Sequence, residues 1–180
     1  MLNQGLGSWI HKRRVKSHEQ VDVIDGAVTL RYEELAERID RLANALAGAG
    51  IGRGDRVAYL GNNHPAFLET LFACGSLGAI FVPVNTRLAP REVAFALQDS
   101  GTSLLVNARQ LESLAVAATE IAPVAARLVV EENPETVGSY EAAIRSASAE
   151  HRDEPVALED TAIILYTSGT TGNPKGAILT

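Results

Sequence analysis

The chain has 180 residues, of which 46% are hydrophobic and 21% are charged, and its formal net charge is −6. This length suffices for one sizeable domain, and the composition is ordinary for a globular protein. The negative charge argues against general nucleic-acid binding, which requires a basic surface. The single cysteine, Cys74, excludes a disulfide within these residues, and its apolar surroundings predict a buried side chain rather than a reactive thiol.

The first residues show no apolar segment of the signal-peptide kind, and no apolar run reaches membrane-spanning length. We therefore expect a cytoplasmic protein. Residues 6–17 predict a short amphipathic helix whose polar side carries the basic residues of segment 11–16. This cluster is typical of a solvated helix face, and contact with an anionic membrane surface is the lesser alternative. The sequence predicts no particular oligomeric state.

Helix and strand patterns alternate after this first helix. Two β-rich runs, residues 21–24 and 28–30, flank the favoured turn pair Asp25-Gly26 and predict a hairpin. Strands alternating with helices predict an α/β fold with a parallel sheet covered by helices on both faces and the hairpin at its margin. Apolar periodicity predicts helices at residues 32–47, 66–77, 91–98, 111–121 and 140–147, and strands at residues 56–60, 80–84, 104–106, 128–130, 162–166 and 177–179.

The glycine-rich segment 48–54 does not match a dinucleotide-binding motif. It lacks the GxGxxG spacing, and it follows a predicted helix and precedes a predicted strand, which reverses the Rossmann order. The segment is typical of a helix end. Asp25, Asp55 and Asp99 lie in turn or strand-start contexts, where local backbone hydrogen bonding accounts for them.

The histidines give no sign of a metal site in the sequence. His11, His18, His64 and His151 show no metal-ligand spacing with one another or with Cys74. No ligand role is therefore assigned to any of them.

The most informative segment is residues 166–176, YTSGTTGNPKG. Six consecutive residues, 167–172, are Ser, Thr or Gly, and they follow a predicted buried strand. Such a loop exposes backbone N–H groups and hydroxyl donors that form a concave anion site. The ammonium of Lys175 can reach the outer phosphates of a nucleotide. The alternative, a flexible Ser/Gly linker, does not account for the preceding strand or for the Pro-Lys-Gly that follows.

This segment differs from the common P-loop and from the nucleophile elbow. In the P-loop a glycine precedes the lysine and a helix follows, whereas here Pro174 precedes Lys175 and an apolar strand pattern follows. The loop is therefore predicted to join two strands, which disfavours a kinase or a GTPase. A nucleophile elbow around Ser168 would need glycine where Tyr166 stands.

Residues 166–176 closely resemble the phosphate-loop signature of the AMP-forming adenylating enzymes, the superfamily of acyl-CoA synthetases, luciferases and peptide-synthetase adenylation domains. Three further segments resemble motifs of that superfamily in the same order: residues 29–35 (TLRYEEL), 54–58 (GDRVA) and 77–85 (LGAIFVPVN). The resemblance therefore covers nearly the whole chain.

Within the superfamily, residues 85–88 (NTRL), Glu92 and residues 99–101 (DSG) are most similar to fatty-acyl-CoA synthetases. Peptide-synthetase domains more often carry an acidic residue where Asn85 stands. The resemblance thus implies a fatty-acid–CoA ligase, with a small-molecule carboxylic acid and coenzyme A as co-substrates.

The resemblance also implies a two-step reaction. A carboxylate attacks the α-phosphorus of ATP to give an acyl-adenylate and pyrophosphate, and coenzyme A then displaces AMP to give a thioester. The loop would donate hydrogen bonds to the β- and γ-phosphates, and the hydroxyl of Thr167 would lie beside a bridging Mg²⁺. No residue of the chain is assigned a catalytic role, and the implied phosphate-binding residues are Thr167, Ser168, Gly169, Thr170, Thr171, Gly172 and Lys175.

Relative to the superfamily, residues 1–180 correspond to the N-terminal part of the large adenylation domain and end just after the phosphate-binding loop. The adenine site, the ribose-binding aspartate, the hinge and the C-terminal domain lie outside them. We therefore expect a truncated portion of an enzyme that does not adenylate a substrate by itself. The alternative is a non-catalytic module that binds a nucleotide or a partner protein.

The loop is also expected to lack stabilising contacts in the absence of a ligand. Ordering a residue costs about 1–2 kcal/mol of backbone entropy, and residues 167–176 contain few apolar side chains that could offset it. The sequence therefore predicts a loop that is mobile without phosphate, and weak binding of ATP by the isolated chain.

Overall fold

The computed structural model describes residues 2–26, 28–132, 136–167 and 174–180. Within them the helices are α1 (Gly7–Ser17), α2 (Tyr32–Gly48), α3 (Pro65–Leu77), α4 (Pro90–Ser100), α5 (Glu112–Ile121) and α6 (Ser139–Ser146). The strands are β1 (Val21–Asp25), β2 (Val28–Arg31), β3 (Arg56–Leu60), β4 (Ile80–Val84), β5 (Leu104–Ala108), β6 (Ala126–Val130), β7 (Ile163–Thr167) and β8 (Lys175–Leu179).

The strands form one large sheet and one small one. The large sheet has the order β6-β5-β3-β4-β7-β8, and its pairs are parallel except for the antiparallel pair β7–β8. The predicted α/β fold with a mostly parallel sheet is confirmed. The predicted hairpin is present as the antiparallel pair β1–β2, but it forms a separate two-stranded sheet and does not extend the large one.

Helices cover the large sheet on both faces. Alternate residues of β3 point to opposite faces, as the pleat of a strand requires: Val57 and Tyr59 pack with α1, α2, α3 and α6, whereas Ala58 and Leu60 pack with α4 and α5. All four are at most 1% exposed. A strand buried on both faces is apolar along its whole length, and this explains why the sequence of β3 shows no alternation.

Several expectations about single residues are confirmed. Cys74 is fully buried, and its burial raises the pKa of the thiol. The glycine-rich segment does end a helix, since α2 stops at Gly48. Gly78 closes α3 in the left-handed conformation with φ of 66°, where a Cβ would be strained. Among the described residues, no helix has both the length and the apolar character needed to cross a bilayer.

A network of buried charges joins three helices on one face of the sheet. Glu69 of α3 is completely buried, and its carboxylate accepts hydrogen bonds from Arg38 of α2 (Nε–Oε1, 2.5 Å) and from the hydroxyl of Tyr140 of α6 (2.7 Å). Arg38 also pairs with Glu141. Burial raises the pKa of Tyr140, so its hydroxyl stays protonated and donates to Glu69. The sequence pattern did not identify this network.

Candidate functional site

The candidate phosphate-binding segment lies at the carboxyl edge of the parallel strands. The parallel strands β3, β4 and β7 end at the same edge of the sheet, and this is where ligands bind in open α/β sheets. β7 and β8 form an antiparallel pair in which Thr167 lies opposite Lys175. The prediction that the loop joins two strands is confirmed, because the described residues on both sides of it belong to this hairpin.

The structure corrects the position of one predicted site residue, while five others lie outside the described residues. Lys175 is the first residue of β8 rather than part of the loop, because the second strand begins two residues earlier than its apolar pattern predicts. Thr167 ends β7, and both side chains are exposed. The strand before the loop is also less buried than predicted, since Leu165 is 38% exposed. Outside the described residues lie Ser168, Gly169, Thr170, Thr171 and Gly172, so their phosphate contacts and the mobility of the loop stay predictions.

Tyr166 fixes the end of β7 to α4. Its hydroxyl donates to Asp99 Oδ2 at 2.6 Å, and its ring meets the ring of Phe95 edge to face at 6.4 Å between centroids. Burial and the hydrogen bond to Asp99 both raise the pKa of Tyr166, which therefore remains a protonated donor. The prediction that local backbone bonding explains Asp99 is wrong, because this residue lies within α4 and bonds to the site segment 67 residues away.

A proline interrupts the pairing of β4 with β7 near the site. β4 pairs with β3 along five residues, but with β7 only at Phe81 opposite Ile163. The N–H of Phe81 donates to the carbonyl of Ala162 at 2.9 Å. Pro83 lies two residues further on, so its nitrogen faces the same neighbour, but it has no N–H to donate. The β4–β7 ladder therefore ends before the edge at which the loop begins.

The other motif residues have local structural roles. Asn85 Oδ1 accepts the backbone N–H two residues on at 3.0 Å and stabilises a turn. Glu92 and Glu34 each accept a backbone N–H three residues earlier, at 2.8 Å, and so cap α4 and α2. Arg56 Nε donates to the carbonyl of Ser100 at 2.7 Å, which joins the start of β3 to the end of α4. These motif residues therefore stabilise turns and helix ends of the fold.

Two of the four histidines lie close together in the structure, although their sequence spacing led to no ligand role for any of them. His11 is 6% exposed, so it does not share the solvated face of α1 with its basic neighbours. It lies close to His151 and to Asp40, and one potential ligand atom of each residue lies within 4.8 Å of the other two. Sequence spacing missed this group because its members come from distant parts of the chain. His64 has a different role, since its Nδ1 accepts the N–H of Ala66 and caps α3.

Comparison with known proteins agrees with this geometry. The profile described as "AMP-binding enzyme" matches residues 11–180. A feruloyl-CoA synthase from Amycolatopsis sp is 48% identical over 180 residues, which is 100% of this chain and 34% of that protein. The structure of a Mycobacterium tuberculosis fatty acyl CoA synthetase matches with a TM-score of 0.85 and 29% identity, over 97% of this chain and 34% of the other.

A third comparison concerns a nucleotide complex. The crystal structure of ATP-bound MatB from Rhodopseudomonas palustris matches with a TM-score of 0.84 and 28% identity, over 99% of this chain and 35% of the other. The chain thus spans about a third of the length of the relatives it matches. Since the family profile covers the chain from residue 11 to residue 180, the chain belongs to the AMP-binding enzyme family, in the group that includes CoA ligases.

Proposed function

We propose that the chain forms the N-terminal part of the large adenylation domain of an ATP-dependent acyl-CoA synthetase. The observation that carries this proposal is the β7–β8 hairpin, which sets Thr167 and Lys175 opposite each other at the carboxyl edge of the sheet. The Ser/Thr/Gly sequence lies between these two residues. Family membership and the similarity to an ATP-bound relative support the same reading.

In this proposal the hairpin binds the polyphosphate of ATP and holds it in line for attack by a carboxylate. Lys175 is exposed, and its ammonium makes no ion pair with any described residue, so it is free to meet a phosphate. The segment from Thr167 to Gly172 supplies N–H and O–H donors to the β- and γ-phosphates. These contacts stabilise the charge that develops on pyrophosphate as it leaves.

The oxygen donors at this edge suit Mg²⁺, a hard cation that prefers oxygen ligands and retains several waters. The exposed hydroxyl of Thr167 is the described oxygen that would lie beside it. Mg²⁺ bound there would neutralise charge on the phosphates. Thr167 in turn is held in place because the residue before it is anchored to Asp99.

Two classes of carboxylic acid are candidates for the substrate. The motif of residues 85–88 with Glu92 favours a fatty acid, and the likeness to a fatty acyl CoA synthetase supports it. A hydroxycinnamic acid is favoured by the 48% identity to a feruloyl-CoA synthase over the whole chain. Both acids would react through the same adenylate, so the phosphate-binding role of the hairpin does not depend on the choice.

The test is ATP–pyrophosphate exchange by the whole protein that contains this chain, with a long-chain fatty acid, ferulate and benzoate supplied separately. We expect exchange with at least one acid, and formation of its CoA thioester when coenzyme A is added. The acid with the highest kcat/KM identifies the substrate class. The chain alone spans about a third of its relatives, and we expect no exchange from it.

The alternative is a non-catalytic module that binds a nucleotide or a partner protein. Binding of ATP by the whole protein without exchange for any acid would support that alternative and contradict the synthetase proposal. A general ATPase would instead release phosphate without an acid, and the family's loop chemistry disfavours it.

A further inference from the structure

Two histidines and one aspartate meet where three distant segments of the chain converge. His11 lies on α1, Asp40 on α2 and His151 in the segment that follows α6. Asp40 Oδ1 lies 2.9 Å from His151 Nδ1 and 3.4 Å from His11 Nε2, and the two imidazole rings are 3.8 Å apart between centroids. This His–Asp–His cluster takes no part in the site at the β7–β8 hairpin.

Two polar atoms of the cluster are buried without a hydrogen-bond partner. His11 is 6% exposed and Asp40 is 1% exposed. Within the described part of the chain, neither His11 Nε2 nor Asp40 Oδ2 makes a hydrogen bond. Buried polar atoms are nearly always satisfied, and an exception indicates an absent water, ion or other partner. Both orphaned atoms belong to groups that bind metals, and both lie inside the cluster.

The chemistry of the three side chains suits a divalent transition metal. Imidazole nitrogens and carboxylate oxygens are both common zinc ligands in proteins. The carboxylate of Asp40 would balance part of the charge of the ion.

The spacing of the ligand atoms suits a small cation. A tetrahedral zinc site with bonds of about 2.0–2.1 Å holds its ligand atoms roughly 3.3–3.4 Å apart. The separation of His11 Nε2 from Asp40 Oδ1 is 3.4 Å, and all three ligand atoms lie within 4.8 Å of one another. The hydrogen bond between His151 Nδ1 and Asp40 Oδ1, at 2.9 Å, would open slightly to admit the ion. We propose that His11, Asp40 and His151 form a site for a divalent transition metal, with Zn²⁺ as the preferred ion and water as the fourth ligand.

One nearby positive charge opposes the metal. Arg14 Nη1 lies 3.7 Å from Asp40 Oδ2, and the side chain is 39% exposed. It also lies 3.3 Å from Glu33, which offers it an alternative partner when the metal binds. Removal of this guanidinium should therefore strengthen metal binding, whereas it would only weaken a purely structural ion pair with Asp40. A higher metal affinity in a variant without Arg14 would therefore distinguish a metal site from an ion pair.

A bound ion would be structural, because it would tie α1 and the segment after α6 to α2. Hydrogen bonds already hold that segment: Asn44 Nδ2 of α2 donates to the carbonyls of Ser148 and Glu150 at 2.9 and 2.8 Å. The metal would add a link to α1 at the same place. The same segment leads on to β7, so the link would help to fix the start of the hairpin strand.

The test is titration of the chelator-treated chain with Zn²⁺ by calorimetry, and with Co²⁺ by visible absorption, which reports the coordination geometry. We expect one ion per chain, a d–d band of low-symmetry Co²⁺, and a rise of the melting temperature with Zn²⁺. His151→Ala should lower the affinity at least about tenfold, because even the loss of an outer-shell partner costs that much. Arg14→Gln should raise the affinity.

His18→Ala is the matched control, because His18 is exposed and lies outside the cluster, and it should leave the affinity unchanged. If His151→Ala fails to fold by circular dichroism, Asp40→Asn, which keeps the shape of the side chain, replaces it with the same expectation. No binding at millimolar metal would overturn the proposal, as would equal affinities of the wild type and the cluster variants. In either case the cluster is a set of polar contacts without an ion, in which His11 and Asp40 are buried and His151 is exposed.

Discussion

The centre of the sheet and its β7–β8 edge contain similar apolar residues but are covered very differently. In β3 and β5 the apolar side chains from Val57 to Leu60 and from Leu104 to Val106 are at most 1% exposed, because helices pack on both faces. In β8 all five residues are exposed, and Ile178 is 64% exposed. Apolar composition therefore does not by itself tell which strands carry the stability of this fold.

The difference separates a buried, stabilising region of the sheet from the region that we propose binds phosphate. The centre gains its free energy from burial, while the edge presents Thr167 and Lys175 to solvent, where a charged ligand can reach them. Variants of the two regions should accordingly affect different measurements.

The largest effect is expected from a truncation in the centre. Leu105→Ala removes a completely buried side chain of β5 from the cluster under α4 and α5. Loss of burial and the resulting cavity should lower the free energy of unfolding by about 3–4 kcal/mol, as measured by urea denaturation of the chain. Ile178→Ala, at the exposed edge, is the control and should change it by less than about 0.5 kcal/mol. Comparable losses in both variants would mean that β8 is buried in solution and would contradict the contrast between the buried centre and the exposed edge.

The second effect concerns the buried charges under the centre. Glu69→Ala leaves Arg38 without its buried partner and removes the acceptor of the Tyr140 hydroxyl. We expect a loss of about 3 kcal/mol, at the low end for a broken buried pair, because Arg38 keeps Glu141. Glu37→Ala is the control, since Glu37 pairs with Arg41 at the surface and should contribute less than about 1 kcal/mol. Urea denaturation measures both variants, and a Glu69→Ala protein as stable as the control would show that the network contributes little.

The elements of the centre were predictable because local sequence signals coincide there. β3 and β4 begin and end at the residues that the sequence predicts, and glycines mark the helix ends before them. The apolar run of β7 looks the same in the sequence, but its burial depends on its position in the sheet, which no local signal specifies. β7 is therefore less buried than its apolar run predicts, and the placement of Lys175 in the loop was wrong.

The side-chain contacts of the candidate sites were not predictable for a related reason. The chemistry of the phosphate segment is local and could be inferred from residues 166–176. Tyr166 and Asp99 are 67 residues apart, and His151 and Asp40 are 111 residues apart. Such pairs are brought together by the order of the strands and the packing of the helices. Periodicity and motif spacing carry no information about either.

At the exposed edge the quantity expected to change is the rate of ATP–pyrophosphate exchange rather than the free energy of unfolding. In the whole protein, Lys175→Ala should slow ATP–pyrophosphate exchange roughly ten- to a hundredfold, because a charge-assisted contact to phosphate is worth about 1.5–3 kcal/mol. Thioester formation from a supplied acyl-adenylate should change less, since pyrophosphate leaves only in the first step. The unfolding free energy should stay unchanged, because Lys175 is exposed.

Two variants control this measurement. Lys16→Ala removes an exposed lysine from α1 and should leave the exchange rate unaltered, and Lys175→Arg should recover part of the rate by restoring the charge. Equal exchange rates for the wild type and Lys175→Ala would show that Lys175 takes no part in the mechanism. They would also contradict the proposal that the exposed edge of the sheet binds phosphate through this residue.

The smallest effect is expected where the two regions meet. Tyr166→Phe keeps the edge-to-face contact with Phe95 but loses the 2.6 Å hydrogen bond to Asp99. A net loss of about 0.5–1.5 kcal/mol in unfolding free energy is expected for one such bond. Asp99 also stands in the last turn of α4, where a negative charge is unfavourable to the helix dipole, so Asp99→Ala alone mixes two effects. The double-mutant cycle of both variants isolates the bond, because the dipole contribution cancels in the coupling energy. A coupling near zero would show that β7 is held at the edge by ring packing alone, and the hairpin would then be independent of the core.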